Sequence, residues 1–98
     1  MLNFKQEELI RKLIKEIQQQ FPEVKFINVA HSPENPNELW VRVTAPETEE
    51  REFELRDFTS EKSINILLDY GYQILVMPTR NPESANLWST VELSMEEN

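Results

Sequence analysis

Phe4, Leu9, Ile10, Leu13, Ile14 and Ile17 fall at helical spacings of three and four, so one stripe of an amphipathic helix runs over residues 3–20. Asn3 followed by Gln6 has the form of a capping box, and Pro22 supplies the stop. Residues 24–30 (VKFINVA) are rich in β-branched and aromatic side chains and read as a strand; the HSPENPNE that follows is dense in turn formers. Residues 39–44 (LWVRVT) alternate, with Leu39, Val41 and Val43 on one side and Trp40, Arg42 and Thr44 on the other. Residues 51–58 (REFELRDF) alternate as well, setting Phe53 and Leu55 opposite Glu52, Glu54 and Arg56, and the intervening APETEE is short enough for a hairpin loop. Glu, Leu and Arg also tolerate a helix, which is the rival reading of this segment. A second helix is expected to start at Thr59 or Ser60, to bury Ile64, Leu67 and Leu68, and to end at Gly71. Residues 72–77 (YQILVM) are apolar on both faces and predict an internal strand, closed by Pro78.

This pattern predicts an α+β two-layer sandwich in the order α-β-β-β-α-β, with a mainly antiparallel four-stranded sheet and both helices on one face. The domain is expected to occupy residues 1–80. Residues 81–98, in which Leu87, Trp88, Val91, Leu93 and Met95 sit among polar residues, read as a C-terminal extension that is either mobile or packed as an extra edge element. If Leu39, Val41, Val43, Phe53 and Leu55 point at the helices, then Trp40, Arg42, Thr44, Glu52, Glu54 and Arg56 share the opposite face.

Composition narrows the chemistry. The 98 residues hold 18 acidic and 10 basic side chains, a formal charge of −8, which opposes direct nucleic-acid binding. The first 25 residues are slightly basic, so the acidity belongs to the rest, with six acids against two arginines between Glu47 and Asp57. Absence of cysteine rules out disulfides and fits a reducing, cytoplasmic compartment. The longest apolar run is the four residues from Ile74 to Met77, too short for a membrane span, and no secretory signal is legible at the N-terminus.

Gly71 is the only glycine, so no glycine-rich phosphate loop can form. His31 is the only histidine and lacks the spacing of a metal site; beside Ser32 at a strand end it does not form a nucleophile–base pair. Glu23-Val24-Lys25 has the acid–spacer–lysine form used by metal-dependent nucleases, and Glu52 with Glu54 would be a carboxylate pair on one strand. Both have plainer readings, as a turn entering a strand and as a solvated sheet face salted by Arg42, Arg51 and Arg56. No catalytic residue, metal ligand or cofactor is therefore assigned.

The helix, three strands and second helix up to Tyr70 resemble the element order of double-stranded RNA-binding domains. Their basic second helix is not matched, since residues 60–70 hold Lys62 against Glu61 and Asp69. A strand, loop, strand and helix from Val24 also resembles the nucleotidyltransferase core, whose Gly-Ser turn and paired strand aspartates are replaced by Val29-Ala30 and Glu38-Leu39-Trp40. Neither activity carries over.

The expected function is a non-catalytic interaction or regulatory domain. It would bind a protein partner or a second copy through the open sheet face, with Trp40, Arg42, Glu52, Glu54, Arg56 and Trp88 as contact residues, because Trp and Arg concentrate interface energy. One alternative is an acidic domain occupying the basic site of a nucleic-acid-binding protein. Another is a small carboxylate-based, metal-dependent hydrolase or nuclease using Glu23, Lys25, Glu52 or Glu54.

Overall fold

Asn3 starts the first helix. Its side chain accepts the Gln6 backbone N–H at 2.7 Å while the Gln6 side chain accepts the Asn3 N–H at 3.0 Å, so two orphan donors are satisfied reciprocally. The computed structural model, which describes residues 2–80 and 90–91, places helix α1 at Phe4–Gln20. Leu9, Ile10, Leu13, Ile14 and Ile17 form its buried stripe. Phe4, expected on that stripe, is 82% exposed, because five and six residues before Leu9 and Ile10 it falls on the opposite side of the helix, while Leu2 ahead of it is buried. Pro22 stands two residues past the helix, and Phe21 closes it with an N–H bond to the Ile17 carbonyl at 2.7 Å.

Three full strands follow the stretches of β-branched residues: β1 (Phe26–His31), β2 (Glu38–Thr44) and β3 (Gln73–Thr79). A two-residue strand β4 (Thr90–Val91) completes the order β3-β2-β1-β4. β1 and β2 pair antiparallel through the loop carrying Pro33 and Pro36, while β2 and β3 run parallel in unbroken register from Glu38↔Gln73 to Thr44↔Thr79. β4 pairs antiparallel with β1. A parallel pair cannot be joined by a tight turn and needs a crossover, here helix α2 (Glu49–Tyr70). The sheet is therefore mixed, and the expected mainly antiparallel four-stranded arrangement is not formed. Its presumed third strand, residues 51–58, lies inside α2. The resemblance to the element order of RNA-binding domains goes with it.

Local chemistry accounts for the helix. Thr48 accepts the Arg51 N–H at 3.1 Å, and Glu49, Glu50 and Glu52 occupy the first turn, where negative charge meets the positive end of the helix dipole. The cap is thus Thr48 rather than Thr59 or Ser60; Thr59 lies mid-helix, where its buried hydroxyl donates to the Arg56 carbonyl at 3.3 Å. Gly71 ends α2 with φ 80°, the left-handed conformation that side chains make costly, as the sequence indicated.

Both helices cover one sheet face. Leu39, Val41 and Val43 from β2 meet Ile10, Leu13 and Ile17 from α1, Leu55 from α2, and Ile74 and Val76 from β3 in a single apolar cluster. Leu55 has no exposed surface, whereas Phe53, expected beside it on a strand, is exposed on the far side of the helix. β3 lies at the margin of the sheet among the described residues, with β2 as its neighbour, instead of inside it.

Two paired substitutions test this architecture by urea unfolding. Leu55→Ala should cost about 2–5 kcal/mol and Phe53→Ala less than about 0.5. Thr48→Ala should cost about 1 kcal/mol and Ser60→Ala almost nothing. Equal costs within either pair would restore the strand reading.

Candidate interaction surface

Alternation along β2 puts Trp40 and Arg42 on the sheet face opposite the helices, as expected. Trp40 stands between Ala30 of β1 and Leu75 of β3, and Arg42 between Asn28 and Met77. Arg42 is nevertheless only 6% exposed and Trp40 half-buried, so this face does not offer an open guanidinium beside a free indole. Burial draws the Arg42 pKa below the ordinary value for arginine. Glu52, Glu54 and Arg56 are not on this face at all. They belong to α2, because the segment that carries them is helical. Trp88 lies outside the described residues. Of the five described residues among the six expected contacts, Trp40 and Arg42 share a sheet face while Glu52, Glu54 and Arg56 share the helix.

The three helix residues act as ties instead. Glu52 accepts from Arg56 one turn on, at 3.1 Å, and from Arg80 at the end of β3, whose other terminal nitrogen donates to the Pro46 carbonyl at 3.1 Å. Glu54 accepts from Arg51 at 3.1 Å. Arg51 also donates to Glu23 at 2.8 Å and to the Gln20 carbonyl at 2.9 Å, and its guanidinium stacks 4.3 Å from the centre of the Phe21 ring. One planar cation thereby joins the end of α1 to the start of α2, using the fork of donors that lysine lacks.

These contacts also place the residues suggested for carboxylate chemistry. The Arg51 hydrogen bond holds the Glu23 carboxyl below the ordinary range, and the same bond, with the one Arg51 donates to Glu54, holds Arg51 above its own. Glu23 is thus committed to a structural cation. No group of three or more His, Cys, Asp or Glu side chains among the described residues could hold a metal ion. His31 is bound locally: its Nδ1 lies 2.9 Å from the Pro36 carbonyl, an acceptor, so that nitrogen carries the proton and donates.

A different surface emerges at the margin of the sheet. On α2 the residues turned inward are Leu55, Thr59 and Ser63, with Phe58 and Ile66 packed beside them. Ile64, Leu67 and Leu68, expected as the buried stripe, are 56%, 42% and 76% exposed, and Leu75 of β3 is 38% exposed. Ile64, Leu67 and Leu75 line a shallow, mainly apolar groove with Ser63, Ile74 and Gln73 where α2 meets the start of β3, and Glu38 of β2 supplies its one charged side chain. Phe53, exposed three turns before Ile64, extends the same flank of the helix. From Gln73 to Thr79 the strand beside this flank carries no charge. The signal was present in the sequence as a three-and-four stripe, but spacing alone does not say which stripe of a helix faces inward.

Comparison with protein-family models, with curated proteins and with solved structures finds no match to this chain. No helix among the described residues is long and apolar enough to cross a membrane.

The lowered carboxyl of Glu23 makes a pH prediction. A carboxylate whose pKa is depressed by folding adds stability above its ordinary pKa, near 4.5, and loses it as the pH falls through the lowered value. The stability gap between the wild type and Glu23→Gln should be constant from neutral pH to about pH 5 and close in more acid solution. A gap unchanged down to pH 2 in chemical denaturation would show that the ion pair adds nothing.

Proposed function

We propose that this chain is a non-catalytic protein-interaction domain acting in the cytoplasm, and that its contact surface is the outer flank of α2 together with the margin that β3 forms among the described residues. The observation that carries this reading is the exposure of Ile64, Leu67 and Leu75 around one mainly apolar groove, with Leu68 exposed one turn beyond Ile64 on α2 and an uncharged strand alongside. Large apolar side chains scattered singly on a surface need no explanation, but a contiguous patch of this kind marks a place where another surface docks. The margin of a sheet adds unpaired main-chain donors and acceptors that a partner can complete.

The surface first expected, around Trp40 and Arg42, is a weaker candidate because Arg42 is buried and its supposed neighbours Glu52, Glu54 and Arg56 lie on the helix. The acidic run between Glu47 and Asp57 has a sufficient local account in the helix N-terminus and in the ties from Glu52 and Glu54 to Arg51, Arg56 and Arg80.

Affinity capture from the native cell with the tagged full chain tests the proposal. Leu68→Glu should reduce specifically bound protein at least tenfold, while Lys15→Glu on the exposed side of α1 should leave it unchanged. Equal recovery with Leu68→Glu and the wild type would remove the α2–β3 margin as the contact surface.

A further inference from the structure

We infer that the occupant of the α2–β3 margin is a second copy of this chain, joined about a two-fold axis perpendicular to the sheet so that two β3 strands pair antiparallel in one continuous sheet. This rests on the reading of that margin as a contact surface and commits it to one partner.

The first argument concerns the strand. Exposed margins of natural sheets are blunted by charges, prolines or bulges, because their free N–H and C=O groups otherwise recruit another strand. Between Gln73 and Thr79 there is no charged residue, and the one proline, Pro78, comes at the penultimate position. β3 is also in unbroken register with β2 along its whole length, so no bulge twists it away. Five successive residues, from Gln73 to Met77, thus offer a regular ladder for pairing.

The second argument concerns the helix. An extended peptide added to β3 would complete the ladder but leave Ile64, Leu67 and Leu68 largely in water. A second copy supplies both elements at once. A two-fold axis normal to the sheet keeps both α2 helices on the same side, antiparallel to each other, so that each apolar flank faces its own equivalent. Self-complementarity of this kind is what an isologous contact requires, and it brings Phe53 of one copy toward the C-terminal half of the other α2.

Size supports the same occupant. Ile64, Leu67, Leu68 and Leu75 expose on the order of 350 Å² in one copy, within the range where a patch on a small protein acquires a role. With Phe53 added the apolar share rises to roughly 500 Å² per copy, well over half of the roughly 800 Å² per partner of a standard stable interface, which the main chain of β3 would extend. A 98-residue chain gains in proportion, since its own fold buries a comparatively small share of its surface.

Charge sets the response to salt. Each copy carries a formal −8, and on α2 Asp57 and Glu61 are exposed, while the exposed cation near Phe53, Arg56, is already paired with Glu52. Mutual repulsion therefore opposes an apolar contact, and screening it should strengthen association, the reverse of an interface held by ion pairs.

Sedimentation equilibrium of the full chain provides the test, with far-UV circular dichroism to verify folding. The wild type should form a dimer that tightens when salt is raised from 0.05 to about 0.5 M. Leu68→Glu on the helix and Leu75→Lys on the strand should each weaken it at least tenfold, and both side chains are exposed enough for the variants to fold. A wild type that stays monomeric at about 0.5 mM, or a dimer indifferent to both substitutions, overturns the inference. If the chain is monomeric but Leu68→Glu still strips captured protein from the native cell, the contact surface stands and its occupant is another protein. If neither experiment responds, both readings fall.

Discussion

Leu55 has no exposed surface, and its burial fixes how a helix of 22 residues is rotated about its own axis. Once that side chain is seated against β2 and β3, the residues four and eight positions on, Thr59 and Ser63, must face inward as well, although both are small and polar. The hydroxyl of Thr59 tolerates this because it donates to the carbonyl three residues earlier. The same rotation carries Ile64, Leu67 and Leu68 outward. The exposed patch is thus the geometric complement of a well-buried leucine, and the apolar content of the second half of α2 is spent on the outside of the domain.

The parallel pairing of β2 with β3 follows from the same helix. Because α2 spans the sheet between them, β3 returns in the direction of β2, and the antiparallel hairpin from β1 to β2 already occupies the other side. β3 is left at the margin with Ile74 and Val76 turned to the core and Leu75 and Met77 to the second face. A strand apolar on both sides is the mark of a position covered on both faces. Among the described residues the helix layer covers one face, and on the other Leu75 is 38% exposed. Arg80 then holds the end of β3 to Pro46 and Glu52, so the strand and the start of α2 are positioned together.

Much of this was legible in the residues themselves. The first helix announced its stripe, its Asn3–Gln6 box and its stop; the sheet-facing side of β2 and the terminating role of Gly71 were equally plain. The misreading had one origin. In REFELRDF, Phe53 and Leu55 satisfy a period of two, while Leu55, Phe58 and Thr59 satisfy three and four, so a short window fits either element. Thr48 followed by Glu49 and Glu50 was the start signal that decided the matter, and it was absorbed into a supposed hairpin loop. Cutting the helix at Thr59 removed Leu55 from its register, and without Leu55 the only stripe left to bury was Ile64, Leu67 and Leu68. The candidate site was lost for the same reason, since Glu52, Glu54 and Arg56 were carried onto a sheet face they never reach. Burial of Arg42 depends on neighbours from β1 and β3, which no pattern within LWVRVT can specify.

Pro78 stands one residue before the end of β3, where its ring withholds a main-chain donor. Any strand laid along this margin therefore meets a regular ladder only from Gln73 to Met77, and the proline marks where such an addition must stop.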